Sequence, residues 1–228
     1  MDSILELRNI TKSFRNTKAL DHVQLKLYPG EIHALLGENG AGKSTVLNII
    51  SGSYKPDGGE IFYKSEKTAV DSPMQAKKMG IVMVHQELQL VPEMTVYENI
   101  FLANELINPV TKFVDYKRME READKLLKRV DADFSSSVPV KTLSIAQQQM
   151  VEIAKALHVD STVMILDEPT SSLTDREIEK LFAIMKKLRD EGKALLFVSH
   201  RMEEIFRIAD RITIFRDGKY IDSMPAQG

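Results

Sequence analysis

A glycine-rich segment at residues 37–44 has the residue types and the spacing of a phosphate-binding loop. It reads G-E-N-G-A-G-K-S, follows the apolar run 32–36 and precedes the apolar-rich stretch 45–50. Its glycines let backbone N–H groups turn toward phosphate oxygens, and a following helix adds its positive N-terminal end. In this pattern Lys43 reaches the β- and γ-phosphates of a nucleotide, and Ser44 binds Mg²⁺. The strand-to-helix setting disfavours the alternative, an ordinary glycine turn with a solvated lysine.

Two adjacent carboxylates, Asp167 and Glu168, directly follow the apolar run 163–166. Hydrolysis of a nucleoside triphosphate needs a carboxylate for Mg²⁺ and a group that positions the attacking water. We therefore predict that Asp167 lies beside the metal bound through Ser44, and that Glu168 faces the water. Either acid alone could equally be a surface residue. A pair of acids after a buried type of strand, in a chain with a phosphate loop, favours the functional interpretation.

Polar residues also follow two other apolar runs. His200 comes after the run 194–198 through Ser199, and Gln86 comes after the run 81–84 through His85. Ligands of open parallel sheets bind at the carboxyl ends of the strands. His200 is therefore predicted to hydrogen-bond a γ-phosphate, and Gln86 to contact Mg²⁺ or its water. The alternatives are a strand-end His200 bonded to the backbone and a His85 that simply packs.

Continuous and alternating apolar patterns predict the strands that must position these residues. Continuous runs are typical of strands buried on both faces of a parallel sheet, and they occur at residues 32–36, 81–84, 163–166 and 194–198. Alternation at 4–7 and 23–27 predicts two half-buried strands of a small antiparallel sheet. A closing hairpin is predicted around Asp217 and Gly218.

Helical patterns cluster between the second and third apolar runs. They cover residues 96–103, 116–130 and 145–157, with almost no strand pattern among them. This block predicts an inserted helical subdomain. A further helix is predicted at 175–191, capped by Thr174 and closed by Gly192.

Composition fits a single α/β domain and excludes several classes of function. The chain has 228 residues, 43% of them apolar, a formal charge of −2 and no cysteine. Disulfides and thiolate metal sites are therefore excluded, and the near-neutral charge argues against a basic nucleic-acid surface. No apolar stretch reaches the roughly 20 residues of a membrane helix, and the polar start lacks the features of a secretion signal. Any membrane role is expected to be peripheral.

In this order, these elements resemble the ATPase domain of ABC transporters over nearly the whole chain. The resemblance implies an α/β fold: a RecA-like P-loop NTPase core, an N-terminal antiparallel β subdomain and an inserted α-helical subdomain. It implies one domain at 1–228. Its parts are the β subdomain at 1–30, the core at 31–90 and 158–228, and the helical subdomain with the signature segment at 91–157.

The resemblance also implies the roles of individual residues. It makes Glu168 the catalytic glutamate, His200 the switch histidine and Gln86 the Q-loop residue. The Mg²⁺ ligands would be Ser44, Gln86 and Asp167. The ATP-binding residues would be Phe14, which stacks on adenine, and Gly37, Glu38, Asn39, Gly40, Ala41, Gly42, Lys43, Ser44 and Thr45. The signature would be Leu143, Ser144, Ile145, Ala146 and Gln147, and the D-loop Ser171, Ser172, Leu173 and Thr174. For Phe14 the alternative is a core aromatic of the small sheet.

Two departures from the family pattern concern contacts between domains. The usual L-S-G-G-Q signature is here L-S-I-A-Q, so both glycines that let amides approach a γ-phosphate are replaced. The D-loop ends in Thr174 where the family has aspartate. In this family two domains enclose two ATP molecules, each bound by one domain's phosphate loop and the other's signature. The altered signature would therefore weaken the partner's site, not the site built by Lys43 and Glu168.

Residues 37–45, 84–88 and 143–157 resemble the N-terminal half of tandem ATPases from monosaccharide importers of the ribose, galactose and xylose kind. The resemblance implies ATP hydrolysis, with ATP and Mg²⁺, that powers sugar import from the cytoplasmic face of the cell membrane. The implied partners are a second ATP-binding domain in the C-terminal half of the same chain, transmembrane permease subunits and, indirectly, a solute-binding protein. No nucleic acid is expected. Because one such domain ends near Gly228, the chain is expected to be half of a longer one.

Three alternatives stay open at this point. One is an importer of a nucleoside or another small solute. Another is a soluble ABC-type ATPase that acts on nucleic acid or the ribosome, which the absence of heptads and basic runs disfavours. The third is a nucleotide-binding regulatory subunit that hydrolyses little ATP, which the presence of Glu168 and His200 disfavours.

Overall fold

Two β-sheets and seven α-helices make up the fold, described here by a computed structural model over residues 2–226. Residues 1, 227 and 228, at the ends of the predicted domain, lie outside the described residues. The strands are β1 Leu5–Phe14, β2 Thr17–Leu27, β3 Ile32–Leu36, β4 Gly58–Tyr63, β5 Glu66–Thr68, β6 Ile81–Val84, β7 Val163–Asp167, β8 Ala194–Val198, β9 Arg211–Arg216 and β10 Lys219–Pro225. The helices are α1 Lys43–Ile50, α2 Pro73–Lys78, α3 Val96–Phe101, α4 Tyr116–Arg129, α5 Ile145–His158, α6 Asp175–Asp190 and α7 Met202–Ile208.

A six-stranded sheet with the order β10-β9-β3-β8-β7-β6 forms the centre of the molecule. Its strands are parallel except for β10, which pairs antiparallel with β9. The four continuous apolar runs are β3, β6, β7 and β8, as predicted, and most of their residues are fully buried because both faces of the sheet are covered. The predicted α/β fold is confirmed. The closing hairpin is also confirmed, with Asp217 at φ 51° and Gly218 at φ 74° in its turn.

A smaller antiparallel sheet has the order β2-β1-β4-β5. The two predicted strands, 4–7 and 23–27, are only the outer ends of β1 and β2, which continue through the polar stretch between them. Register shifts in their pairing interrupt the apolar alternation there, so the pattern ends before the strand does. Sequence analysis missed β4 and β5, because β4 opens on two glycines and β5 has only three residues.

Helices α3, α4 and α5 lie between β6 and β7, where helices were predicted. The helix predicted at 96–103 ends earlier, at Phe101, and Ala103 adopts a left-handed φ of 61° that ends any helix. Helix α6 begins after Thr174, the predicted cap. Helices α2 and α7 were not predicted, since six and seven residues are too few to establish a helical period.

A buried carboxylate shared by two cations ties β1 to β2. Glu6 Oε2 accepts from Arg8 Nη2 at 2.7 Å, and Glu6 Oε1 lies 3.0 Å from Lys26 Nζ. The hydrogen bond from Arg8 lowers the pKa of Glu6 to about 2; burial opposes this, and Lys26 adds to the lowering. Because the folded pKa lies below the unfolded value, Glu6 stabilises the fold above about pH 4.5, and this contribution is lost as the pH falls toward 2.

Replacing Glu6 with glutamine is therefore expected to lower the melting temperature at pH 7 but not near pH 2. The expected decrease is roughly 3–6 °C, since hydrogen bonds to charged groups contribute about 1.5 kcal/mol or more and each kcal/mol shifts the Tm of a chain of this size by about 2–4 °C. Calorimetry at both pH values measures the difference. The exposed Glu66→Gln is the control. Equal losses at both pH values would contradict the assignment.

Candidate functional site

The phosphate loop connects β3 to α1 at the carboxyl edge of the central sheet. Gly40 and Gly42 have φ values of 84° and 97°, in the left-handed region that favours glycine. Gly42 immediately precedes α1 and accepts the first helical hydrogen bond, from the N–H of Val46 at 3.0 Å. The loop therefore presents its backbone together with the positive N-terminal end of an eight-residue helix.

A cavity of about 440 Å³ lies beside this loop and brings together nine of the fourteen residues predicted for ATP binding, Mg²⁺ binding and catalysis. Its walls include Asn39, Gly40, Gly42, Lys43, Ser44, Thr45, Gln86, Asp167 and Glu168. Val198 at the end of β8 also lines it, as do Thr17, Lys18 and Ala19 at the start of β2. Sequence analysis missed these three residues, because the polar stretch that contains them has no motif and only sheet packing brings it to the loop.

The Lys43 ammonium is hydrogen-bonded to the backbone of the phosphate loop. Its Nζ donates to the carbonyl oxygen of Gly37 at 2.6 Å and to that of Glu38 at 3.1 Å. The loop carbonyls thus hold the cation at the cavity wall, where an ammonium can serve as a point charge for phosphate oxygens.

Asp167 ends β7 and is partly buried beside Glu168. Burial raises the pKa of Asp167 and the negative charge of Glu168 raises it further, while His85 and Lys43 oppose the rise. A bound cation would offset both causes of the rise. The Ser44 hydroxyl, the Asp167 carboxylate and the Gln86 amide oxygen are the hard oxygen donors that Mg²⁺ prefers, so these residues fit a magnesium site.

Glu168 contacts two of the polar residues predicted at the sheet edge, Gln86 and His200. Gln86 Nε2 donates to Glu168 Oε2 at 3.4 Å, and His200 Nδ1 lies 3.3 Å from the same oxygen. His200 therefore has a carboxylate partner, not the backbone partner of the alternative interpretation. Glu168 has a φ of 46°, unusual for a residue other than glycine, and its N–H donates to Val198 at 3.0 Å. The three side chains form one polar group, and two of them, Gln86 and Glu168, line the cavity.

His200 does not line the first cavity; it lines a second one, of about 580 Å³, that also borders the phosphate loop. Gly37, Glu38 and Asn39 line this cavity together with His200. The imidazole therefore lies between Glu168 and open space beside the loop.

Phe14 lies at the end of β1, opposite Thr17 of the first cavity's wall. Phe14 is 41% exposed, and its ring packs edge-on against Tyr54 with 5.2 Å between the ring centroids. The alternative of a core aromatic is wrong, because a core ring would be buried. The stacking of Phe14 on adenine stays a prediction.

The signature and D-loop segments do not line the first cavity in the part of the chain described. Ser144 caps α5, and its side chain and that of Gln147 form a reciprocal capping box. Ile145 is 49% exposed, whereas Ala146 is buried. The D-loop residues, Ser171 to Thr174, lead into α6. Thr174 N and Oγ1 donate to Glu177 Oε2 at 2.8 and 2.7 Å, so threonine in place of aspartate still gives the helix a polar cap.

Within residues 2–226, no helix combines the length and the apolar character needed to cross a membrane.

Comparison with known proteins finds similarity along nearly the whole chain. The sequence model of the ABC transporter family matches residues 20–171. A putative ribose/galactose/methyl galactoside import ATP-binding protein of Burkholderia lata is 48% identical over 96% of this chain, and a ribose import ATP-binding protein of Burkholderia ambifaria is 46% identical over 97% of it. The chain spans only 42% and 43% of the length of these two relatives.

The solved structures similar to this chain are also ABC transporter ATP-binding cassettes. A nucleotide-free ATP-binding cassette from an ABC transporter superposes with a TM-score of 0.87 at 27% identity, covering 98% of this chain and 91% of that chain. A dimeric bacterial ABC transporter cassette superposes with a TM-score of 0.83 at 29% identity, covering 98% and 99%. A third structure, with a TM-score of 0.87 and 27% identity, is an ABC cassette in its ADP conformation; it covers 99% of this chain and 92% of that chain.

Proposed function

We propose, because this chain belongs to the ABC transporter family, that it binds and hydrolyses ATP to power the import of a monosaccharide. One observation carries the proposal: Lys43, Ser44, Asp167 and Glu168 line a single cavity at the carboxyl edge of the sheet. The names of the relatives, which mention ribose and galactose, support a sugar as the transported solute.

The predicted site residues have separate proposed parts in the reaction. The loop amides and Lys43 bind the phosphates and neutralise the charge that develops on the transferred phosphoryl group. Mg²⁺, held by Ser44, Asp167 and Gln86, would neutralise further phosphate charge when it is bound. Glu168 accepts the proton of the attacking water as the water oxygen bonds to the γ-phosphorus and the bond to the ADP oxygen breaks. His200 contacts both Glu168 and the γ-phosphate and so holds the two at a fixed distance from each other.

The proposed assembly contains more than this chain. We propose that it is the N-terminal half of a tandem protein, with a β subdomain at 1–30, a core at 31–90 and 158–228, and a helical subdomain at 91–157. The C-terminal half would supply a signature to the site of Lys43. Permease subunits would dock near Gln86 and hold the protein at the cytoplasmic face of the membrane, and a solute-binding protein would deliver the sugar.

Mg²⁺-dependent ATP hydrolysis by the chain, measured as its concentration is raised, tests this proposal. We expect tight ATP binding and low specific activity, because Ile145 and Ala146 replace the glycines of the signature. Specific activity that rises with concentration would show that two copies pair and that the altered signature still works. A chain that does not bind ATP would contradict the proposed function.

The two left-handed glycines of the loop are expected to differ in their tolerance of alanine. A Cβ on Gly42 would lie 2.8 Å from the backbone oxygen of Ala19, whereas a Cβ on Gly40 would meet nothing within 4 Å. Both changes strain the backbone, but only Gly42→Ala also forces β2 away from the loop. Calorimetric titration with ATP should therefore give a greater loss of affinity for Gly42→Ala than for Gly40→Ala. Equal losses of ATP affinity in the two variants would mean that backbone strain alone causes the loss and that the contact with Ala19 does not contribute.

A further inference from the structure

A buried carboxylate outside the ATP cavity joins three segments of the chain. Glu204 of α7 is 4% exposed and accepts three hydrogen bonds. The donors are Thr170 Oγ1 at 2.7 Å, Ser199 Oγ at 2.8 Å and Arg201 Nη1 at 2.7 Å. Thr170 and Ser199 are themselves buried, at 3% and 2% exposure. A buried charge with this many donors is a strong and directional constraint on the groups around it.

The two hydroxyl donors belong to the segments that carry Glu168 and His200. Thr170 lies two residues after Glu168, and Ser199 directly precedes His200. Both hydroxyls donate to the same atom, Glu204 Oε2. Ser199 Oγ also accepts from the backbone N–H of Arg201 at 3.1 Å, which fixes the chain on both sides of His200. One carboxylate oxygen thus anchors both sides of the Glu168–His200 contact.

We propose that Glu204 is a positioning residue that sets the distance and orientation between Glu168 and His200. This proposal rests on the proposed ATPase function. Glu204 touches neither of the two side chains; it acts on Glu168 through Thr170 and on His200 through Ser199. Arg201 binds the other oxygen, Oε1, and its half-exposed side chain orients the carboxylate from the surface.

The network also gives the D-loop a physical connection to His200. Thr170 immediately precedes Ser171, the first D-loop residue. A displacement of the D-loop would therefore move Thr170 and, through the hydrogen bonds to Glu204, also move Ser199. The connection consists of two buried hydrogen bonds to Glu204. The bond from Thr170 is 2.7 Å long and joins residues 34 apart in sequence, and the bond from Ser199 is 2.8 Å long and joins residues 5 apart.

Single-hydroxyl variants test the proposal with little damage to the fold. Thr170→Val removes one hydrogen bond and keeps the shape of the side chain. Thr213→Val is the matched control, because Thr213 is also a buried threonine and its hydroxyl lies 2.7 Å from His33 Nε2 in a separate cluster. Glu204→Leu removes all three acceptor contacts. Glu204→Gln keeps one oxygen that can accept from both hydroxyls.

The first readout is the ring ¹H–¹³C resonance of His200, assigned with His200→Gln among the five histidines of the chain. We expect Thr170→Val to shift the His200 resonance and leave His33 in place, and Thr213→Val to do the reverse. Glu204→Leu should shift His200 more than Glu204→Gln. If Glu204→Leu does not fold, Thr170→Val and Ser199→Ala decide the question. An unchanged His200 resonance in folded Thr170→Val and Ser199→Ala would overturn the proposal.

The second readout is steady-state ATP hydrolysis. We expect Thr170→Val to lower kcat by about tenfold, with a KM for ATP within about twofold of the parent, since displaced catalytic groups impair the reaction step and not ATP binding. Equal kcat values in folded parent and variant would count against the proposal. A parent that does not bind ATP would contradict the proposed function, whereas the His200 resonance decides whether Glu204 positions it even when the parent hydrolyses too little ATP for kcat to be compared.

Discussion

Replacing Glu168 with glutamine is expected to leave ATP bound and to remove most of its hydrolysis. Glutamine keeps the size of the side chain and can still contact Gln86, but it cannot accept the proton of the attacking water. Loss of a general base typically lowers a rate by about 10²- to 10⁴-fold. ATP affinity should change little, because the phosphates are bound by the loop and by Lys43, not by Glu168.

Single-turnover hydrolysis and equilibrium ATP binding, measured on the same protein, separate these two effects. Glu87→Gln is a suitable control, since Glu87 is an exposed acid next to Gln86 and does not line the cavity. It should retain the parent rate. A Glu168→Gln variant that hydrolyses ATP at the parent rate would show that Glu168 is not the base.

Replacing Lys43 with alanine is expected to impair both ATP binding and hydrolysis. The ammonium lies at the cavity wall, 2.6 Å from the carbonyl oxygen of Gly37, and alanine leaves the loop without its cation. A charge-assisted hydrogen bond contributes about 1.5–3 kcal/mol, which corresponds to a loss of affinity of roughly 10- to 150-fold. Turnover at saturating ATP should fall as well, because the charge that develops on the phosphoryl group is no longer neutralised.

Titration calorimetry with ATP, followed by turnover at saturating ATP, measures the effect of Lys43→Ala. Lys18→Ala is the comparison, because Lys18 lines the same cavity but already forms an ion pair with Asp21. The loss of affinity should be smaller for Lys18→Ala. Equal losses would mean that total positive charge near the cavity matters and that the position of Lys43 does not.

The predictions from sequence succeeded where the signal is local. Strands β3, β6, β7 and β8 could be located because burial on both faces requires an unbroken apolar run. Long helices could be located because their apolar period repeats over several turns. Strands β4 and β5 and helices α2 and α7 were missed, because three to seven residues contain too little pattern. The helix that ends at Phe101 was extended too far, since the left-handed φ of Ala103 has no signal in its residue type.

The candidate site also has features with a local sequence signal and features without one. The sequence determined the phosphate loop, since the left-handed backbone at Gly40 and Gly42 is a property of glycine itself. It also determined that acids and a histidine follow buried strands. Only the tertiary structure decided which of these groups meet: Gln86 and Glu168 are 82 residues apart in sequence but share a hydrogen bond.

Tertiary structure alone also revealed the wall formed by Thr17 to Ala19 and the carboxylate of Glu204 beneath the Glu168–His200 contact. Neither belongs to a motif. Backbone conformation and burial act on each residue within its own segment, so they leave a pattern in the sequence. A hydrogen bond between distant segments depends on strand order and packing, and it leaves only ordinary polar residues in the sequence. The sequence therefore determined the parts of this site, and the packing of the sheets and helices determined their arrangement.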